Sequence, residues 1–185
     1  EGTPTEAWLA RACNSVAAYE DVNYGRTRPV SIVSWPPLDP LRHPSEWIGT
    51  ERAPYMDSAQ IDINAIDVAP SFEPGFFGSY HFYPNYPDFI INEEGYADYS
   101  DELGTFRYGG YLREFAEYHD RYPALVAEFG LATGQGIAHF SPDGYHHGGM
   151  TELSQGLGVV RMFETIKQEG YIGGVVFEWM DEWAK

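Results

Sequence analysis

The run Pro123-Ala124-Leu125-Val126-Ala127-Glu128 is compact and apolar and ends in a carboxylate. An ionised carboxylate at the end of a buried strand is costly unless it meets solvent or is well hydrogen-bonded. Glu128 is therefore a candidate for nucleophilic or acid–base chemistry, with a structural Glu bonded to loop backbone as the even alternative. A second group is the triplet His81-Phe82-Tyr83. In an extended chain alternate residues share a face, so His81 and Tyr83 point together and Phe82 points away. A tyrosine hydroxyl can hold a carboxylate in place, and a histidine can donate to a ligand hydroxyl. Core His and Tyr are common, so the triplet alone is a weak signal. Trp35 and Trp179 each end an apolar run, and an indole face can stack on the apolar side of a ring-shaped ligand, although core packing is its commoner role. Glu178 is expected to face away from Trp179. Asp181 and Glu182 lie in the final loop, where they can bind ligand hydroxyls or simply be solvated.

His139, His146 and His147 share one glycine-rich loop. Adjacent histidines do not converge on one ion, and the i, i+4 helical pairing of zinc motifs is missing, so no metal site is expected here. A loop lining a cleft is the better reading. Cys13, the single cysteine, excludes an internal disulfide and sits in a helical pattern as a core thiol. No Gly-rich phosphate loop follows the first strand, and no cofactor is expected.

The elements that must position these groups follow from periodicity. Pro4 and Thr5 start a helix whose apolar positions are Trp8, Leu9, Ala12, Val16 and Tyr19, and Gly25 ends it. Residues 30–35 are β-branched and read as a buried strand, followed by a Pro-rich loop to about residue 60. Residues 61–66 fit either a short strand or a helical turn. A strand at 76–83 ends at Pro84, a long loop runs from 85 to 108, and a helical pattern through Tyr111, Leu112, Phe115 and Ala116 ends near Tyr122. After the strand ending in Glu128, Thr151 caps a helix whose apolar face is Leu153, Leu157, Val160, Phe163 and Ile166. Gly170 stops it, and 172–179 is the last strand. Alternating strands and helices predict an α/β fold with parallel strands and crossover helices. Long loops after the strands fit a (β/α)8 TIM barrel, whose C-terminal face carries function. A full barrel needs eight strands, so residues 1–185 read as one domain covering about strands 5–8. A flavodoxin-like open sheet is the competing architecture.

Composition excludes more than it identifies. The formal net charge of −17 repels phosphate backbones and anionic membranes, so neither nucleic acid nor a membrane surface is an expected partner. A neutral ligand fits best. No apolar run approaches the ~20 residues that cross a bilayer. Aromatics reach 16%, which suits both a core and a ligand-stacking surface.

Taken together, His81-Phe82-Tyr83 and Ala124-Leu125-Val126-Ala127-Glu128-Phe129-Gly130 resemble clan A of the glycoside hydrolases, the retaining (β/α)8 enzymes. The segment Gly173-Gly174-Val175-Val176-Phe177-Glu178-Trp179-Met180-Asp181-Glu182 is similar to the eighth strand of family 2 enzymes. The nearest likeness is to bacterial family 2-type barrel proteins, over essentially the whole chain. The resemblance implies a double displacement in which Glu128 is the nucleophile and Tyr83 orients it. It implies His81, Trp179, Trp35 and Asp181 as sugar contacts and an oligo- or polysaccharide as the partner. Secretion or surface display would follow from such a substrate.

The second carboxyl departs from this pattern. The clan carries its acid/base at the end of the fourth strand, and nothing before residue 30 matches it. Asp39, Glu46 and Asp88 are poor substitutes. The chain by itself is therefore expected to be inactive, with the acid/base supplied elsewhere. Two alternatives are a carbohydrate-binding barrel without chemistry and a structural domain of a larger surface protein. A half-barrel has open strand edges, which pair with other chains. An N-terminal half of the barrel, or a second copy, is expected to cover them.

Overall fold

The computed structural model describes residues 2–49, 51–52, 59–134, 136, 139–140 and 146–180. Seven elements form its frame: α1 (Pro4–Tyr24), β1 (Val30–Ser34), β2 (Phe76–His81), α2 (Arg107–Tyr118), β3 (Ala124–Phe129), α3 (Glu152–Gln168) and β4 (Gly174–Val176). The four strands make one sheet in the order β1-β2-β3-β4, all parallel. Each strand pairs with its predecessor in the chain, so every crossover steps in the same direction. A doubly wound sheet reverses direction at a switch point, and this one does not. The fold is thus α/β with a parallel sheet and crossover helices, but the sheet does not close on itself.

Local chemistry explains the boundaries. Glu6 accepts the backbone N–H of Thr3 at the start of α1, and Gly25 closes that helix in the left-handed region at φ 61°. The Thr151 hydroxyl accepts the Ser154 N–H and opens α3. Residues 61–66 are neither strand nor α-helix. They form a 3-10 turn, Ile63–Ala65, because Asp62 caps it by accepting the Asn64 N–H. The long loops also carry local order. Pro36–Leu38 and Pro44–Glu46 are 3-10 turns, Phe89–Asn92 is a single helical turn, and Ser100–Asp101 pairs with Gly104–Thr105.

The core lies between the sheet and α2. Tyr108, Tyr111, Leu112 and Phe115 occupy positions three and four apart on α2 and are all buried. Phe82 stacks on Tyr80 at 5.4 Å and meets Phe115 and Tyr111 edge-on at 4.9 and 5.2 Å. Much of the aromatic content is therefore spent on the core. The loop after β1 is bound into it by polar groups. Asp39 accepts from the Leu41 N–H at 3.0 Å and the Tyr111 hydroxyl at 2.9 Å, and lies 3.0 Å from His43 Nε2. His43 Nδ1 lies 3.1 Å from the Tyr96 hydroxyl, which donates to Glu114 at 2.6 Å, and its ring stacks on Phe89 at 3.5 Å. Asp39 and Glu46 are both buried, Asp39 against Tyr111 of α2.

The end helices depart from the periodicity reading. In α1 the inward residues are Glu6, Ala17 and Glu20, with Leu9, Ala10 and Cys13 half-buried against the core, while Trp8, Val16 and Tyr19 are exposed. Glu20 is buried because Arg28 pairs with it. In α3 the inward residues are Met162, Thr165 and Ile166, and Leu153, Leu157 and Val160 face outward. Periodicity finds an apolar stripe but not what lies opposite it. At the two ends of this sheet, no described element lies there.

Burial also gives the fold an acid-sensitive point. His119 follows α2, and its Nε2 is hydrogen-bonded to the buried Tyr80 hydroxyl at 2.9 Å. Desolvation outweighs the pull of Asp62 and Asp120 and lowers its pKa from 6.5 to about 4. A histidine held neutral in the folded state stabilises the fold above its unfolded pKa. That contribution fades as pH falls from 6.5 to 4, by about 3 kcal/mol in all. Denaturant titrations between pH 7 and 4.5 should show stability declining with acid, and His119→Gln should flatten the decline. An unchanged slope in the variant would remove His119 from the account.

Candidate active site

Glu128 is the penultimate residue of β3, and its position depends on an irregularity in the ladder. Tyr80 pairs with Val126, but His81 pairs with Glu128, so Ala127 is an extra residue on β3. In a regular strand Glu128 shares the phase of Val126, which is fully buried on the helix side. The bulge shifts the phase by one and re-aims the carboxylate to the opposite face, beside His81. It also returns Phe129 to the core, where that residue is fully buried. The ladder resumes with the Phe82 N–H donating to the Glu128 carbonyl at 2.9 Å.

Two side chains from β2 and its end converge on one carboxylate oxygen. The Tyr83 hydroxyl donates to Glu128 Oε2 at 2.8 Å, and His81 Nδ1 lies 3.4 Å from the same oxygen. Among the described residues Oε1 has no donor. The Glu128 side chain keeps 29% of its surface open, so the free oxygen is reachable. Burial, then the hydrogen bond to Glu128 and its charge, with Glu178 adding to it, hold the Tyr83 hydroxyl far above the usual phenol range. Tyr83 therefore stays a donor throughout the working pH range. A carboxylate held by one oxygen, with the other free at the C-terminal end of a parallel sheet, can act as a nucleophile or as a base.

Beside Tyr83 a recess of about 270 Å³ is lined by Gly130, Thr133, His147, Phe177 and Glu178. Glu178 is solvent-exposed and shares this recess with Tyr83. The cause is the end of β4: regular strand stops at Val176, so alternation no longer sets where Glu178 points. Gly130 is required here because a Cβ would fall on the Phe177 carbonyl oxygen, and that close approach lets the Phe177 N–H reach the Phe129 carbonyl at 2.9 Å.

The remaining candidates are scattered. Trp179 is 94% exposed and is not among the residues lining the recess, whereas Phe177 is. Trp35 stands at the end of β1 against Tyr86, at 5.7 Å between ring centroids. Asp181 lies outside the described residues. His139–Phe140 pairs antiparallel with His146–His147, and His147 lines the recess. Among the described residues no group of three or more His, Cys, Asp or Glu is placed to hold a metal ion. None of the described helices is long and apolar enough to cross a membrane. Phe177, Glu178 and Tyr86 were missed as neighbours of the site, and only the strand-end position of the first two could have signalled them. No family model matches the chain, and no curated protein or solved structure is significantly similar to it.

Substituting Gly130→Ala should push the end of β4 away from β3, lower the melting temperature by several degrees and loosen the recess. Thermal unfolding of the variant measures this. A wild-type melting temperature would mean that Phe177 moves aside at no cost.

Proposed function

We propose that this chain is part of a retaining glycoside hydrolase, with Glu128 as the nucleophile. The observation that carries the reading is the convergence of Tyr83 and His81 on one oxygen of Glu128, while the other oxygen has no donor among the described residues. In the reaction Glu128 Oε1 attacks the anomeric carbon, and the glycosidic C–O bond breaks. Its electron pair stays on the leaving oxygen, which takes a proton from a second carboxyl. The resulting glycosyl ester is hydrolysed by water, whose proton returns to that carboxylate. Tyr83 holds the nucleophile through Oε2, and His81 binds the sugar beside it. Asp39 and Glu46 are buried and do not line the recess beside Tyr83, so the acid/base is assigned to a part of the barrel beyond these strands.

That wider architecture is part of the proposal. Four parallel strands in consecutive order, with a free inner face, are what half of a (β/α)8 barrel presents. The outward apolar stripes of α1 and α3 and the single-neighbour edges of β1 and β4 suit flanking βα units, supplied by an N-terminal half or by a second copy. A carbohydrate-binding barrel without chemistry is favoured only by the missing acid/base.

The test uses the complete parent protein and a panel of 2-fluoro glycosides with good leaving groups. Mass spectrometry should find a sugar ester on the peptide containing Glu128, and Glu128→Gln should abolish it. Labelling at another residue, or none where known retaining enzymes are labelled, sinks the nucleophile assignment. Tyr83→Phe should slow formation of the ester on the order of 10²-fold, because an unheld carboxylate loses its attack geometry. Stopped-flow release of the leaving group reads that rate, and an unchanged rate would leave Tyr83 without the positioning role.

A further inference from the structure

The inner face of the sheet carries a second feature at its C-terminal edge. Trp35 follows the last residue of β1, and Tyr86 comes from the turn after β2 that folds back so that Tyr83 and Tyr86 bridge. Their rings lie 5.7 Å apart, tilted by 37°, and keep 43% and 39% of their surface exposed. We propose that Trp35 and Tyr86 form a stacking platform for a second sugar ring, so that the substrate is an oligosaccharide chain and not a single glycoside. This rests on the glycosidase reading of Glu128 and deepens it.

Three observations support the platform. The first is its place. Ser34 pairs with Tyr80, and Tyr80 with Val126, so Trp35 stands two strands from Glu128 along one edge. Two inter-strand spacings are roughly 10 Å, more than one pyranose ring spans. A ring reacting at Glu128 therefore leaves Trp35 and Tyr86 for its neighbour in a chain.

The second is rigidity. The Trp35 carbonyl accepts the Leu38 N–H at 3.0 Å, and the Pro36 carbonyl accepts the Asp39 N–H at 3.0 Å. This turn ties Trp35 to the buried Asp39. On the other loop the Pro87 carbonyl accepts the Ile90 N–H at 3.1 Å, and Phe89 stacks flat on His43. Asp39 and His43 are themselves paired at 3.0 Å. One buried clamp thus fixes both loops, and the two rings are held half-exposed by backbone that is otherwise tied down. Pre-organised aromatic surface loses little entropy on binding.

The third is chemistry. The chain is strongly acidic, which disfavours anionic ligands, and an aromatic face suits the apolar side of a neutral sugar ring. In the same turn the enclosed Asn85 Nδ2 has no hydrogen-bond partner among the described residues. Such donors are costly to leave unmet, and a ligand hydroxyl entering the turn would satisfy it.

The experiment is calorimetric titration of the complete parent protein with β-linked gluco-, manno-, xylo- and galacto-oligosaccharides of one to four units. Glu128→Gln in every sample prevents turnover. For at least one series the affinity should rise roughly tenfold or more from one unit to three. In Trp35→Ala and Tyr86→Ala, each checked by circular dichroism, that gain should fall to about threefold or less. The gain is a ratio within each variant, so a general loss of folded protein cancels. No gain with length, a gain that survives both substitutions, or no binding to any series overturns the platform. The 2-fluoro labelling separates the two readings. Labelling without a length gain leaves the nucleophile and removes the platform, whereas a length gain without labelling leaves a carbohydrate-binding surface and removes the hydrolase.

Discussion

A strand packed against helices offers each face every second side chain, and on β3 that rule alone would bury Glu128 with Val126. One extra residue, Ala127, changes the outcome. It lets Val126 and Phe129 both fill the core while Glu128 turns to the open face beside His81. The bulge thus resolves a conflict between packing and chemistry within four residues. The Tyr83 bond, the His81 contact and the free Oε1 all depend on that change of phase. Ala127 is small enough to be the unpaired residue without displacing its neighbours, and Gly130 then lets β4 close against the end of β3.

Around this point aromatic packing and buried polar bonds join the elements. The aromatic layer of Phe82, Tyr108, Tyr111 and Phe115 fixes β2 against α2, and β2 leads into both Tyr83 and Tyr86. The polar clamp of Asp39, His43 and Tyr96 is fully enclosed and hydrogen-bonded, which makes it a specific join between two loops. The described parts of these loops are therefore tied to each other and to α2 by specific buried bonds. That is the condition for a site whose residues come from the ends of several strands.

The two ends of the sheet show the opposite character. β1 and β4 each have one neighbour, and α1 and α3 turn apolar residues outward. Parallel sheets are normally covered on both faces. The free inner face and the open edges are what a larger closed barrel would bury, and under the proposed reading they are also where the rest of the sugar cleft is built.

Much of the frame was legible in the sequence because it is set by local physics. The helix start at Pro4 and Thr5, the cap at Thr151, the turn at Gly25 and the β-branched run at Val30 act within a few residues, and so they marked the helices and strands. The pairing of His81 with Tyr83, and the carboxylate at the end of an apolar run, were visible for the same reason. What lay beyond reach depends on neighbours distant in the chain. Periodicity gave α1 and α3 an apolar stripe but could not say that the stripe would face outward. Alternation could not reveal that β4 ends at Val176, so it could neither place Glu178 in the recess nor foresee that Trp179 is exposed. The bulge at Ala127 was equally hidden, because an unpaired residue exists only relative to the strand beside it. By itself the sequence determined the elements and the residues able to do chemistry; the tertiary structure alone decided which of them share a face, because that is set by pairing register and packing between segments far apart in the chain.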